Sequence, residues 1–380
     1  MRLLFLTENY PPDRGGMSES CDRIVRGLAR EGAQLDVVHF DRRAAITSSR
    51  ATSFGSLTRV AAEADAAHTI NLLWNRLMWS GLQPAEGRAE ARPHIVVAFG
   101  GHMPLLCAPT FAAWLQLPLI TLIRGNELDA GLFDPRRRPI LDDALRRSAM
   151  VCTVTTAQAE KIAALHPEVT TRVVPNGIDF DLWQPTEADR RWQPPTNRRV
   201  LGIFGHLKRK KGVPFLADAL QRSGVADRFH LLLVGELEEP LEIEHTLLPP
   251  LDRLDLIPYY LASDLVAIPS HYDGFPNVLI EAAALARPLL ASATGGMRDL
   301  LTDGENAFLF APGDDHSCRD AIARAADAGD ATLQRMGARA AEAARLHCDA
   351  RRESATYMEV FNATLTPRAS CDTRPARLQR

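Results

Sequence analysis

The feature that most constrains the fold is a pattern that runs twice. Short apolar runs of strand length alternate with runs of helical spacing. A proline- and arginine-rich stretch interrupts them, and the alternation restarts. Strands alternating with helices specify parallel sheets covered on both faces, because a parallel neighbour is reached only by a crossover long enough to hold a helix. In the first half the strand runs are Leu3–Thr7, Gln34–Phe40, His94–Phe99, Leu119–Ile123, Met150–Thr153 and Thr171–Val174. Ile24, Val25 and Leu28 mark a helix over Ser18–Glu31, and Thr155 with Gln158 predicts a capping box opening a helix through Leu165.

Gln184–Arg198 holds almost nothing aliphatic and reads as a linker. Beyond it the strand runs are Val200–Phe204, His230–Val234, Leu265–Ile268, Pro288–Ala291 and Ala307–Phe310. The helical runs are Gly212–Gln221, Leu254–Leu261, Asn277–Ala286, His316–Ala328 and Ala331–His347, with a last helix near Arg351–Ala363. The expected architecture is α/β, with two doubly wound Rossmann-like domains facing across a cleft. The N-terminal domain covers 1–183, the linker 184–198 and the C-terminal domain 199–349. A helix follows over 350–364, then a flexible tail over 365–380. A length of 380 residues suits two or three domains.

Composition narrows the function classes. A net charge of −3 leaves no basic excess for a nucleic-acid binder. Cysteines 21, 107, 152, 318, 348 and 371 are scattered, without metal-type spacing, and Met1 leads into an apolar run with no signal-peptide pattern. Free thiols in a reducing cytoplasm are therefore expected, with the inner membrane face as the alternative location. Ile95–Ile123 is broken by glycines and prolines, so it reads as strand, loop, helix and strand rather than a membrane span. Asn71–Leu82 carries Leu72, Leu73, Trp74, Leu77, Met78, Trp79 and Leu82 around Arg76. Core packing is favoured there over peripheral membrane contact.

Open parallel sheets bind ligands at the carboxyl ends of their strands, so the loops after strands carry the chemistry. Gly15-Gly16 follows the first strand and opens a helix, where backbone N–H groups can approach an anion. Gly205-His206-Leu207-Lys208-Arg209-Lys210-Lys211-Gly212 stands between another strand and helix. Only four lysines occur in the chain, and three of them lie here. Four consecutive cations at a helix start oppose the helix dipole, an arrangement that a bound phosphate or diphosphate would reverse. In Pro269-Ser270-His271-Tyr272-Asp273-Gly274-Phe275-Pro276-Asn277-Val278-Leu279-Ile280-Glu281, a loop carboxylate precedes one projecting from the next helix. Such a pair suits hydroxyl groups, and the helix start offers free N–H groups to an oxyanion. Gly295-Gly296 adds another glycine-opened loop.

The order of these segments resembles the retaining family 4 glycosyltransferases of the GT-B fold. The matching pieces are the early Pro-Pro-x-x-Gly-Gly loop, Val174-Pro175-Asn176-Gly177-Ile178-Asp179, Gly-x-Leu-x-x-x-Lys-Gly and carboxylate-Gly-Phe-(x)5-Glu. Gly-Gly-Met-Arg-Asp at 295–299 and Asp303-Gly304-Glu305-Asn306 complete them. The resemblance implies that Lys211 binds the donor diphosphate, Asp273 the donor-sugar hydroxyls and Glu281 the ribose. It implies that backbone N–H groups around Gly274, Phe275, Asn277 and Val278 hold diphosphate or sugar. Gly15 and Gly16 approach the phosphate from the other domain, and the last helix crosses back to the N-terminal domain. Gly205 and His206 fall in the donor-binding loop. Three positions depart from the family pattern. His206 replaces an arginine, Asp273 replaces a glutamate, and Arg124-Gly125-Asn126-Glu127 replaces His-Gly-x-Asp.

The activity so implied is retaining transfer of a sugar from a UDP- or GDP-linked donor to an acceptor hydroxyl of a small molecule, glycan or lipid-linked compound. Lys211, Arg209, Asp273 and Arg124 are its catalytic candidates. Front-face substitution, with the departing phosphate taking the acceptor proton, needs no divalent metal and no cofactor beyond the co-substrate. A nucleotide-sugar epimerase or hydrolase on the same fold, and a non-catalytic binding subunit, remain open. An epimerase or hydrolase requires a carboxylate or histidine base near the anomeric carbon, for which His102 or His271 is a candidate, although a structural or supporting role is favoured for each histidine.

Overall fold

The computed structural model describes residues 1–13, 15–62, 69–71, 73–75, 92–190, 192 and 196–366. The first sheet is built from β1 (Arg2–Thr7), β2 (Gln34–Asp41), β3 (Ser48–Thr52), β4 (Gly55–Ala61), β5 (Ile95–Phe99), β6 (Leu119–Ile123), β7 (Ser148–Thr153) and β8 (Thr171–Val173). Its helices are α1 (Gly16–Arg30), α2 (His102–Leu115), α3 (Glu127–Phe133), α4 (Arg138–Arg147) and α5 (Thr156–Leu165). The strand order is β3-β4-β2-β1-β5-β6-β7-β8, parallel except for the β3–β4 pair. Thr155 caps α5 by accepting the Gln158 N–H at 3.2 Å.

The second sheet has the order β11-β10-β9-β12-β13-β14. Its strands are β9 (Arg199–Phe204), β10 (Phe229–Val234), β11 (His245–Leu248), β12 (Leu265–Ile268), β13 (Leu289–Ser292) and β14 (Ala307–Phe310). The helices are α6 (Val213–Arg222), α7 (Ile257–Ala262), α8 (Asn277–Ala284), α9 (Gly296–Leu300), α10 (Asp315–Asp327), α11 (Asp330–His347) and α12 (Ala350–Leu365). The expected helix over Leu254–Leu261 divides. A 3-10 turn spans Arg253–Leu256, and α7 begins at Ile257 with Pro258 in its first turn, where a missing N–H costs nothing.

The chain's last helix belongs to the first domain's core. Tyr357, Val360 and Phe361 pack with Ile24, Val25 and Leu28 of α1 against the strand side chains Phe5 and Phe99. Leu73 is buried, and the Trp74 ring lies 4.6 Å from that of Trp114, so these residues pack in the core. Leu72, Leu77, Met78, Trp79 and Leu82 lie outside the described residues, as does the tail from 367 onward.

Winding reverses between β1 and β5 in one sheet and between β9 and β12 in the other. Crevices form at such reversals, where neighbouring crossovers leave in opposite directions. The loops after β1, β9 and β12 are among those that the sequence marks out, and the loop after β5 leads into His102.

Candidate active site

These loops line a cleft of about 750 Å³ between the two sheets. On the C-terminal wall, the loop after β9 and the loop after β12 are pressed together. Gly212 makes this possible. Its φ is +72°, and a Cβ there would fall 1.9 Å from the Pro269 carbonyl oxygen. His271 N–H donates to the Lys210 carbonyl at 3.2 Å. The contact brings Lys211 and Asp273, 62 residues apart, into a direct Nζ–Oδ2 ion pair. Asp273 also accepts from Gly274 N–H at 3.0 Å and Ser270 Oγ at 3.4 Å. The Lys211 side chain remains 34% exposed at the cleft.

The other cations of the basic loop separate. Lys210 borders the cleft; Arg209 does not. The structure does not bring the catalytic candidate Arg209 to the cleft wall: its side chain is 78% exposed and sits 3.6 Å from Glu239. Gly205 (φ +99°) and His206 line the cleft, with His206 Nδ1 4.0 Å from Glu236.

Glu281 projects from α8 onto the same wall. Arg253 Nε donates to its Oε1 at 2.6 Å and the Tyr260 hydroxyl to its Oε2 at 2.8 Å. Arg253 lies over the Trp183 ring, and Tyr260 stacks on Phe204. Burial and the neighbouring Glu281 raise the Tyr260 phenol well above its usual range, so it stays a donor. The carboxylate is thus fixed in orientation by two donors that sequence spacing did not reveal.

Asn277 and Val278 occupy the first turn of α8, where N–H groups have no intrahelical acceptor, and both line the cleft with Phe275. Gly274, between the cleft-lining Asp273 and Phe275, is engaged within the protein. Asp273 Oδ1 takes its N–H, Gly296 N–H donates to its carbonyl at 2.6 Å, and a Cβ there would fall 3.2 Å from the Arg124 carbonyl oxygen and 3.3 Å from the Gly125 Cα.

Across the cleft, Gly15 (φ +126°) and Gly16 open α1. Asn277 Nδ2 donates to the Gly16 carbonyl at 3.4 Å, so the two helix starts face each other. Glu8, in the loop after β1, accepts the His102 and Met103 N–H groups at 3.0 and 2.8 Å and caps α2. Glu127 accepts from the Arg124 and Gly125 N–H groups, and burial raises its carboxyl above the usual range.

Arg124 borders the cleft, yet its guanidinium is occupied elsewhere. It donates to the Tyr357 hydroxyl, to Asn176 Oδ1 and, at 3.1 Å, to Glu353 of α12, with 1% of the side chain exposed. Arg23 of α1 pairs with the same Glu353 at 2.8 Å. Burial alone would push the Glu353 carboxyl up, but Arg23 and Arg124 outweigh it and hold the carboxyl below its usual range. The expectation of Arg124 as an electrostatic catalyst is therefore corrected: its charge is matched inside the protein. It anchors the last helix.

Among the described residues, no group of three or more His, Cys, Asp or Glu side chains is arranged to hold a metal ion. The one Asp-x-Asp triplet, Asp179-Phe180-Asp181, lies outside the cleft lining, beside Arg30 and Arg351. No helix of the described residues is long and apolar enough to cross a membrane.

Known proteins match along most of the chain. The family model "Glycosyltransferase Family 4" matches residues 14–182, and "Glycosyl transferases group 1" matches 198–328. The D-inositol 3-phosphate glycosyltransferase of Mycolicibacterium smegmatis is 29% identical over 203 residues, 48% of this chain and 46% of that protein. Its counterpart in Corynebacterium diphtheriae is 26% identical over 385 residues, 87% and 86% of the two chains. The chain spans about half the length of the first curated relatives it matches. Among solved structures, sucrose-phosphate synthase from Thermosynechococcus elongatus superposes with a TM-score of 0.79 at 18% identity, covering 96% of this chain and 99% of that one. HepE of Anabaena in complex with UDP-glucose gives 0.73 at 19%, covering 96% and 100%. At these identities the structures speak for the fold alone, while the two family models cover both domains in series. The chain belongs to the family 4 glycosyltransferases of the GT-B fold.

Proposed function

We propose that this protein is a retaining glycosyltransferase that moves a sugar from a nucleotide diphosphate sugar to an acceptor hydroxyl. The Lys211–Asp273 pair carries the reading. It is a cation and a carboxylate at the reversal point of the sheet, closed on each other and open to the cleft. A donor diphosphate takes Lys211 from Asp273, and the freed carboxylate accepts hydrogen bonds from sugar hydroxyls. Glu281, oriented by Arg253 and Tyr260, accepts from the ribose. N–H groups of Gly15, Gly16, Asn277 and Val278 meet the phosphates from both sides.

The bond from anomeric carbon to phosphate oxygen breaks while the acceptor oxygen bonds to the same face of that carbon. The acceptor proton passes to the departing phosphate oxygen. Lys211 and the helix starts stabilise charge as it collects on the diphosphate, with no divalent metal engaged. UDP-glucose, present in the HepE complex, is the first donor to test, and GDP-linked sugars the second. Five described cysteines are free and buried, which suits a reducing, cytoplasmic setting.

A binding panel of UDP, GDP and ADP, followed by release of the nucleotide diphosphate from sugar donors, tests this. Lys211→Ala should lower turnover by roughly 10²–10³-fold, the loss typical of one preorganised donor, with an unchanged melting temperature. An active Lys211→Ala variant overturns the assignment, and turnover abolished by EDTA overturns the metal-free mechanism.

A further inference from the structure

The loop Ser270–Val278 belongs to the C-terminal domain, yet its shape is fixed partly from across the cleft. Asn176 stands between β8 and β9 and is 6% exposed. Its Oδ1 accepts from Arg124 and, at 3.4 Å, from Arg23. Its Nδ2 donates to the Phe275 carbonyl oxygen at 2.5 Å. The amide orientation is forced: reversal would aim an NH₂ at two guanidinium groups and an oxygen at a carbonyl. The guanidinium groups are themselves held by Glu353. A continuous polar chain therefore runs from α12 through Glu353, the two arginines and Asn176 to the backbone of the loop.

That anchored carbonyl has a decisive position. Asp273 lies two residues before it, and the free N–H groups of Asn277 and Val278 lie just after. Pro276 follows directly and supplies no N–H of its own. Turned the other way, the Phe275 carbonyl would place a partial negative charge at the wall where an anion is expected. We propose that Asn176 is a positioning residue for the donor loop: by holding the Phe275 carbonyl toward the N-terminal domain, it keeps Asp273 and the start of α8 facing the cleft. Asn176 itself borders the cleft, and the role proposed for it acts through the loop. The consequence for donor binding rests on the function proposed above; the consequence for the loop does not.

Asn176→Asp separates the two halves of the contact. The new carboxylate keeps the arginine bonds, and two guanidinium groups with one glutamate leave room for its charge. It has no hydrogen for Phe275. Hydrogen exchange of the nucleotide-free protein should show the amides of residues 273–278 exchanging roughly tenfold faster, the effect of one lost hydrogen bond, while β9 and β10 are unchanged. Affinity for UDP or GDP, whichever the wild type binds, should fall by a similar factor in protein whose melting curve shows it fully folded. Asn176→Ala, which loses both contacts without adding charge, is the second variant and should show the same exchange. Wild-type exchange at 273–278 in both variants overturns the inference. Faster exchange with unchanged nucleotide affinity overturns the functional half. A wild type that binds neither nucleotide overturns the functional half together with the nucleotide-sugar reading, and the exchange result still decides the positioning of the loop.

Discussion

Two assemblies of carboxylate and cation lie within this molecule, built from the same chemistry for opposite ends. Glu353 sits between Arg23 and Arg124 with 2% of its side chain exposed, and its arginine partners are 11% and 1% exposed. Lys211 and Asp273 form a single pair at the cleft, 34% and 18% exposed. The first is closed: the glutamate is bonded from both sides, and Tyr357 and Asn176 engage Arg124 as well. The second is open, because an ammonium with room for further acceptors can exchange its carboxylate for a phosphate. Burial therefore separates an anchor from a site. A desolvated charge cannot be released without a large penalty, whereas a wet one can be traded.

The largest effect should come from opening the closed assembly. Glu353→Ala leaves two buried guanidinium groups facing each other, and loss of one partner from a buried ion pair typically costs about 3–5 kcal/mol. Denaturant unfolding should show a loss of that order. A loss like that of a surface pair would break the contrast.

Acid should reach the same anchor more gently. The two arginines hold the Glu353 carboxyl below its usual range. Its contribution is therefore complete above about pH 4.3, the ordinary glutamate value, and disappears as the pH falls through the lower folded value. The melting-temperature gap between wild type and Glu353→Gln should narrow below about pH 4. A gap that stays constant on acidification would mean that Glu353 acts by packing rather than by charge.

The same contrast explains what could be read from sequence. Buried strands such as Ile95–Phe99 and Phe229–Val234 are continuous apolar runs and announce themselves. The edge strand Ser48–Thr52 is polar and largely exposed, so no alternation marks it, and β11 is a half-exposed edge of the same kind. Lys211, Asp273 and Glu281 were legible because site loops follow strands and carry unusual residue types. The anchor was not, since Arg23, Arg124, Asn176 and Glu353 meet only through tertiary packing. One sign of it existed: Glu353, Tyr357 and Phe361 share a helix face at four-residue spacing. A glutamate on an apolar face demands a buried cation.

The smallest effect is the most pointed test of how an open site is built. The basic loop places four cations in a row, and composition alone gives no ground for choosing among them. The fold does: the 3-10 turn Arg209–Lys211 sends neighbouring side chains in different directions. Lys211 meets Asp273, Lys210 borders the cleft, and Arg209 turns to Glu239 in solvent. An exposed pair of this kind is worth little in either binding or stability. Arg209→Ala should therefore change nucleotide diphosphate affinity by less than about twofold at physiological salt, where charges beyond roughly 8 Å are screened. Lys210→Ala should lose more than Arg209→Ala and less than Lys211→Ala. Equal losses for all three would mean that the loop works as a diffuse basic field. A graded series would mean that one lysine forms the site and the neighbouring charges only surround it.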